Sequence, residues 1–189
     1  MAEIRSSFLV ALGSNLQNAG TTPLETVQAC LAEFAPAGLQ VIAISNFYRT
    51  PCFPAGAGPD YVNAAVELRA SLSPAEVLSR LHKIEAQFQR TRTQRWGMRT
   101  LDLDLLAAEQ RILPDVQTYE TWRTLPAERQ RQEAPDQLVL PHPRIQDRAF
   151  VLVPLADVAR DWVHPILNRS VGQMLADCDA ADLAEVQAL

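Results

Sequence analysis

Two helix-start signals of the same kind divide this chain and limit the folds open to it. Thr22-Pro23-Leu24-Glu25 and Ser73-Pro74-Ala75-Glu76 each combine a capping hydroxyl, a proline at the first helical position and a glutamate two residues after the proline. Apolar residues at helical spacing follow both signals. The sequence therefore predicts one helix that begins at Pro23 and ends near Pro36 and Gly38, and a second that begins at Pro74.

Strand patterns flank both helices. Residues 8–12 form a short apolar run closed by Gly13, residues 39–48 are rich in β-branched and aromatic side chains, and residues 61–68 and 100–106 alternate apolar with polar. The resulting order, β, α, β, β, α, β, is that of the ferredoxin-like split βαβ. We therefore expect an α+β fold in which helices cover one face of an antiparallel sheet.

A length of 189 residues suits a single domain. Residues 114–136 are polar and contain Pro114, Pro126 and Pro135, which predicts a surface insertion before the His142 segment. We expect Trp122 to anchor this insertion on the body of the protein and the insertion itself to be dispensable for activity. Residues 170–189 are expected to form a C-terminal helix and tail.

The alternation of residues 100–106 puts the carboxylates of Asp102 and Asp104 on one face of a strand. Two such residues lie roughly 6.6 Å apart, at about 3.3 Å of rise per residue, so they can share a cation or hold two. Carboxylate oxygens suit Mg²⁺, which usually completes its coordination with substrate phosphates. The pattern indicates a metal site, although paired aspartates on an edge strand can also serve solubility.

Four arginines, Arg90, Arg92, Arg95 and Arg99, lie within ten residues just before this strand. A guanidinium grips phosphate oxygens bidentately, so arginines beside metal-binding carboxylates indicate a site for a nucleotide triphosphate. An arginine cluster can equally be a solvated surface. Because the run has little apolar anchoring, we expect it to close over bound substrate.

Two further polar residues have two open interpretations each. Glu85 lies beside the apolar stripe of the second helix, where a desolvated carboxylate needs either a structural partner or a substrate donor. His142 is held between Pro141 and Pro143. A histidine so fixed can be a structural hydrogen-bonder, or it can donate to a phosphate held by nearby arginines.

Composition excludes several classes of protein. The formal net charge is −5, which disfavours a general nucleic-acid binder. The single lysine, Lys83, is not in a Gly-x-x-x-x-Gly-Lys motif, so there is no P-loop. Three scattered cysteines and the lack of a long apolar run predict reduced thiols, no signal peptide and no membrane span. We expect a cytoplasmic monomer that binds neither nucleic acid nor membrane.

Five motifs, taken in chain order, resemble one known family, that of 6-hydroxymethyl-7,8-dihydropterin pyrophosphokinase of folate biosynthesis. The motifs are Leu12-Gly13-Ser14-Asn15-Leu16, Phe47-Tyr48-Arg49-Thr50-Pro51, Asp60-Tyr61-Val62-Asn63, Arg95-Trp96-Gly97-Met98-Arg99-Thr100-Leu101-Asp102-Leu103-Asp104 and Pro141-His142-Pro143-Arg144. The resemblance covers about residues 8 to 165. This chain departs from the family pattern at Met98, where proline is usual, and in a longer connection between Asp104 and His142.

The resemblance implies transfer of the pyrophosphoryl group of ATP to the pterin hydroxymethyl oxygen, with AMP as the other product and two Mg²⁺ ions bound. It identifies Asp102 and Asp104 as the metal ligands. The residues it implies for catalysis, besides the two aspartates, are Arg90, Arg92 and Arg99. Those it implies for ATP are His82, Glu85, Arg92, Leu105, His142 and Arg148. Those it implies for the pterin are Thr50, Pro51, Phe53, Tyr61, Asn63, Trp96 and Phe150.

Two other classes of protein stay open on the residues alone. A ferredoxin-like RNA-binding domain would explain the fold and the arginines, but it would not need paired aspartates on a strand. A two-metal nuclease or phosphohydrolase would explain the aspartates. Formation of AMP in step with consumption of the pterin separates the pyrophosphokinase from both.

Overall fold

An antiparallel sheet of six strands lies at the centre of the computed structural model, which describes residues 5–17, 20–52, 58–88 and 99–189. Its order is β5-β1-β4-β3-β8, with β2 also paired to β4, and β6 and β7 form a separate hairpin. The strands are β1 (Ser6–Ser14), β2 (Gln40–Ile44), β3 (Tyr48–Thr50), β4 (Tyr61–Ala70), β5 (Asp102–Ala108), β6 (Val163–His164), β7 (Arg169–Ser170) and β8 (Gln187–Ala188).

Both predicted helix starts are confirmed. The side chains of Thr22 and Ser73 accept hydrogen bonds from the backbone N–H of Glu25 and Glu76, and both glutamates bond back to the capping residue. The helices are α1 (Pro23–Phe34), α2 (Pro74–Gln87), α3 (Val116–Arg123), α4 (Ala127–Gln132), α5 (Ala149–Ala159), α6 (Val171–Ala176) and α7 (Ala180–Ala184). None of these helices of the described chain is long and apolar enough to cross a membrane.

The strand predicted over residues 39–48 is wrong as a continuous element, because it breaks between β2 and β3. At the break, the hydroxyl of Ser45 accepts the backbone N–H of Ala65 at 2.8 Å and so replaces a backbone acceptor of the sheet. Asn46 and Tyr48 both donate to the carboxylate of Asp157 on α5. Side-chain bonds therefore bend the chain where the sequence pattern indicates an unbroken strand.

Helices pack on both faces of the sheet, which corrects the expectation that they cover one. On one face, Val10 and Val66 belong to a core shared with α1 and α2. On the other face, Leu9 and Ala65 pack with Leu152 of α5. Residues 149–159 are almost uniformly apolar, and such a helix needs burial along most of its surface.

The predicted insertion leaves and rejoins the body at one point, where Leu113 and Leu140 form an antiparallel bridge. Between them lie α3 and α4. Tyr119 of α3 is fully buried, whereas Trp122 is only half-buried. The prediction of Trp122 as the anchor is therefore wrong, and Tyr119 anchors the insertion because its hydroxyl finds a buried partner in His164.

The C-terminal residues contain more structure than the predicted helix and tail. Ser170 caps α6, which begins the predicted C-terminal segment with a helix. Beyond α7, Gln187 and Ala188 form β8, which pairs with Arg49 and Tyr48 of β3. The end of the chain therefore covers an edge of the sheet.

His164 joins the insertion to the β6–β7 hairpin. Its Nδ1 accepts the backbone N–H groups of Ile166 and Leu167, both at 3.2 Å. The ring proton must then sit on Nε2, which lies 2.9 Å from the hydroxyl of Tyr119 and donates to it. Burial, reinforced by Arg123, lowers the pKa of His164 from 6.5 to about 4. The neutral ring of His164 therefore contributes to the stability of the folded chain.

The free energy of unfolding should therefore decrease as the pH is lowered through a window set by His164. Because its pKa is lower in the folded than in the unfolded chain, its contribution is complete above pH 6.5 and is lost as the pH falls toward 4. We expect a loss on the order of 1 to 3 kcal/mol, measured by urea unfolding between pH 7.5 and 5. His164→Gln, which can accept and donate at the same places without titrating, should flatten this slope. An equally steep slope in that variant would contradict the assignment.

Candidate active site

One row of residues crosses three strands at the end of the sheet. Gly13 of β1 pairs with Asn63 of β4 on one side and with Asp102 of β5 on the other. Directly paired residues of antiparallel strands point to the same face, so the predicted metal ligand and the predicted pterin contact share a face. With strands about 4.8 Å apart, their Cα atoms lie roughly 10 Å from each other.

Gly13 in the middle of this row was predicted to close its strand, but β1 continues through Ser14. Glycine is favoured at this position for a different reason, because a Cβ here would lie 3.1 Å from Oδ1 of Asn63. The missing side chain leaves space between Asn63 and Asp102. Sequence reasoning missed this role, since a glycine at a strand end looks like a terminator.

Asp102 and Asp104 are half-buried side chains on that same face. Arg99 forms an ion pair with Asp102. Burial alone would lower the pKa of Arg99, but Asp102 and Asp104 outweigh it and raise the pKa. Within the described residues no group of three or more His, Cys, Asp or Glu side chains could hold a metal. Two carboxylates on one face of a strand match the donor set with which Mg²⁺ is commonly held beside phosphates.

His142 lies against β5, because its backbone N–H donates to the carbonyl of Leu106 at 2.7 Å. Its Nδ1 accepts the backbone N–H of Arg144 at 3.1 Å. Burial, together with the positive charges of Arg148 and Arg144, lowers the pKa of His142 to about 3. The ring is therefore neutral at physiological pH and carries its proton on Nε2, where it can act as a hydrogen-bond donor.

Arg148 precedes α5 and lies among charged groups. Burial lowers the pKa of Arg148, while Asp104 and Asp102 act in the opposite direction. Its guanidinium carbon is 5.7 Å from the ring centre of Phe150. Phe150 is 39% exposed, which is unusual for a large apolar ring. The pair offers a cation and an open aromatic face at the same place.

Glu85 of α2 is 2% exposed, and its Oε1 accepts the backbone N–H of Leu103 at 2.8 Å. Leu103 stands between the two aspartates on β5. This bond ties α2 to the strand that carries them. This contact supports the structural interpretation of Glu85. It could not be predicted from the sequence alone.

A cleft of about 430 Å³ opens beside these residues. It brings together five of the residues implied for ATP or metal, namely His82, Asp104, Leu105, His142 and Arg148. Among the described residues it is also lined by Arg144 and by four residues of the insertion, Trp122, Glu133, Pro135 and Asp136. Sequence reasoning assigned none of these four residues to the site, since Trp122 was expected only to anchor the insertion. The only available signal was that both ends of the insertion join segments of the site.

Of the residues implied for the pterin, Thr50 and Asn63 are in contact. The side-chain N–H of Asn63 donates to the hydroxyl of Thr50 at 2.7 Å, and both residues are buried. Tyr61 is half-buried and Pro51 is exposed. Other residues of the predicted site, Phe53, Arg90, Arg92, Arg95 and Trp96, lie outside the described part of the chain, as does the expected closure of the arginine run.

Asn15 is a buried residue to which the sequence assigned no role. Its Oδ1 accepts the backbone N–H of Arg99 at 2.8 Å, and its Nδ2 donates to the carbonyl of Pro59 at 3.1 Å. The backbone N–H groups of Asn15 and Leu16 both donate to the carbonyl of Arg99. One amide therefore fixes Arg99 on the Asp102 side of the row and Pro59 on the Asn63 side.

Residues 9–160 match the family model described as 7,8-dihydro-6-hydroxymethylpterin-pyrophosphokinase. A 2-amino-4-hydroxy-6-hydroxymethyldihydropteridine pyrophosphokinase of Synechocystis sp. is 39% identical over 175 residues, which are 91% of this chain and 77% of the relative. The protein of the same name from Haemophilus influenzae is 34% identical and covers 82% of this chain and 83% of its own.

Solved structures agree at the level of the fold. A wild-type HPPK-DHPS of Plasmodium falciparum with pteroate superimposes with a TM-score of 0.63 over 92% of this chain, at 12% identity. This chain spans 42% of that longer chain. The match supports the α+β arrangement of a sheet with helices packed on it.

Proposed function

Since this chain belongs to the 7,8-dihydro-6-hydroxymethylpterin-pyrophosphokinase family, we propose that the row Asp102–Gly13–Asn63 and the adjoining cleft are where its two substrates meet. The chain is an ATP-dependent pyrophosphokinase. It transfers the pyrophosphoryl group of ATP to 6-hydroxymethyl-7,8-dihydropterin in folate biosynthesis. The single observation that carries the location of the site is the shared face of Asp102 and Asn63.

The reaction makes one bond and breaks one. The hydroxymethyl oxygen of the pterin attacks the β-phosphorus of ATP and loses its proton. The bond from that phosphorus to the oxygen bridging the α-phosphorus breaks, and AMP leaves with the bridging oxygen. Such transfers depend on positioning and on stabilising phosphate charge more than on covalent help from the protein.

We assign positioning to the two ends of the row. Asn63 and Thr50 meet the polar edge of the pterin, and the open ring of Phe150 gives it an aromatic surface. The Cα atoms of Asn63 and Asp102 lie roughly 10 Å apart. This separation leaves room for the hydroxymethyl group of the pterin to reach a phosphate of ATP beside Asp102. Gly13 keeps this path free of side chains.

We assign charge stabilisation to the cleft. Arg148 and Arg144 supply cations for the phosphates, and neutral His142 supplies an Nε2–H donor. The family generally requires Mg²⁺, and Asp102 and Asp104 would hold it. Two ions are our proposal. Held there, Mg²⁺ would supply positive charge that offsets the negative charge of the phosphate oxygens. Arg99 holds the Asp102 carboxylate in place.

The test of this function is a coupled measurement of both products. Purified protein with Mg²⁺, ATP and 6-hydroxymethyl-7,8-dihydropterin should form AMP and the pterin diphosphate in equal amounts. Release of ADP or phosphate without consumption of pterin would instead indicate a phosphohydrolase. Sedimentation of the same sample tests the expected monomer, and fractionation of cells tests the expected cytoplasmic location.

Asn63→Ala should weaken pterin binding and leave nucleotide binding unchanged. The substitution removes a buried amide that bonds Thr50 and faces the proposed pterin edge. Loss of such a group costs roughly 1 to 3 kcal/mol, which is about a 5- to 150-fold weaker Kd for the pterin. Calorimetric titration with the pterin and with α,β-methylene ATP measures both. Equal losses for the two ligands would put Asn63 outside the pterin site.

A further inference from the structure

The insertion was expected to be dispensable, but it forms part of the cleft that we assign to ATP. Trp122 of α3 lines this cleft together with Asp104, His142 and Arg148. Among the residues of the described chain that line it, Trp122 is the one Trp, Tyr or Phe side chain. A half-buried indole at the wall of a polar cleft presents a flat apolar surface to whatever enters.

The rest of the insertion holds this indole in position. Tyr119, one helical turn before Trp122, is fully buried and bonded to His164. The insertion is also closed at its base by the bridge between Leu113 and Leu140. Residues three apart on a helix lie on neighbouring faces, so the buried Tyr119 fixes the direction in which Trp122 points.

Charge divides the lining into two kinds of surface. Arg144 and Arg148 suit phosphates. Asp136, at the end of the insertion, repels phosphates and can accept hydrogen bonds from amino or hydroxyl groups, whereas the carboxylate of Glu133 is paired with Arg129. A nucleotide has both kinds of group, with its base and ribose at one end and its phosphates at the other.

We propose that Trp122 forms the wall against which the purine ring of ATP stacks, so that the insertion is a base-binding element of this enzyme. The inference rests on the proposed function, because it takes the cleft to be the nucleotide site. Arg144, Arg148 and His142 then hold the triphosphate while the insertion holds the base. The insertion contributes to affinity for the nucleotide and not to the chemistry of transfer.

Two probes separate the ends of the nucleotide. Calorimetry with Mg²⁺ and α,β-methylene ATP reports base and phosphates together, whereas Mg²⁺ with inorganic tripolyphosphate reports the phosphates alone. Trp122→Ala should weaken binding of the ATP analogue roughly tenfold or more, in line with the cost of losing one stacked base. Its binding of tripolyphosphate and of the pterin should stay within about twofold of wild type. Trp122→Phe should largely restore the affinity for the ATP analogue.

Val116→Ala is the matched control, because Val116 lies on the same helix, is 50% exposed and does not line the cleft. Should Trp122→Ala fail to fold, Trp122→Leu keeps apolar volume without the aromatic face and carries the same expectation. Unchanged affinity for the analogue, or equal losses for analogue and tripolyphosphate, would overturn the role of Trp122 alone. A wild-type protein that binds neither probe and forms no AMP would overturn the proposed function as well.

Discussion

Replacing Asp102 or Asp104 by asparagine is expected to lower kcat by roughly a thousandfold or more, which is about 4 kcal/mol of transition-state stabilisation. Each substitution keeps the shape of the side chain and removes one of the two carboxylates on this face of β5, of which Asp104 lines the cleft. Mg²⁺ then loses a charged ligand. The folded state should persist, because both side chains are half-buried at the open end of the sheet rather than in either core.

Two controls make this result specific. Glu109→Gln changes a carboxylate just beyond the other end of β5, next to Arg111, and should leave kcat within about twofold of wild type. Thermal unfolding of all three variants checks the fold. Turnover within tenfold of wild type for both aspartate variants at saturating Mg²⁺ would show that the metal is held elsewhere.

Asn15→Ala is expected to reduce kcat/KM for both substrates by roughly 10- to 100-fold. The amide holds Arg99, whose guanidinium pairs with Asp102, and at the same time holds Pro59, which leads into β4 and Asn63. Its removal leaves the backbone N–H of Arg99 and the carbonyl of Pro59 without this side-chain partner, at roughly 1 kcal/mol each for part-buried hydrogen bonds. Both halves of the site should therefore lose their positions together.

The matched control for Asn15→Ala is Asn46→Ala. Asn46 also bonds across the fold through its side-chain amide, to Asp157, but it is exposed and lies outside the row. Steady-state kinetics with each substrate varied in turn, together with urea unfolding, measures the two effects separately. A loss of stability with kcat/KM unchanged for both substrates would reduce Asn15 to a structural residue.

The parts of the fold that could be predicted are those fixed by neighbours in sequence. A capping box is complete within four residues, so Thr22 and Ser73 could be read as helix starts without knowledge of the rest. The alternation around Asp102 and Asp104 likewise sets their shared face locally. Both predictions are confirmed because no distant contact opposes them.

The predictions that were wrong concern residues whose contacts lie far away in sequence. The bend at Ser45 needs Ala65 and Asp157, and the burial of Tyr119 needs His164. Nothing near Tyr119 distinguishes it from Trp122, and by size alone the indole is the better anchor. The same holds for the site. The roles of Gly13 and Asn15 depend on contacts with Asn63 of β4 and with Arg99, which are far away in sequence.

The bridge between Leu113 and Leu140 has a consequence for how this enzyme can vary. Because the two ends of the insertion meet there, a change in its length outside α3, whose Tyr119 is bonded to His164, costs the fold mainly loop-closure entropy. Doubling a flexible loop adds only about 0.6 kcal/mol to that entropic cost. Residues can therefore be gained or lost between the ends while Asp104 and His142 keep their spacing. Evolution and protein engineering can exchange the residues of this segment that line the cleft and alter nucleotide preference without disturbing the residues that bind the phosphates, provided that Tyr119 keeps its contact with His164.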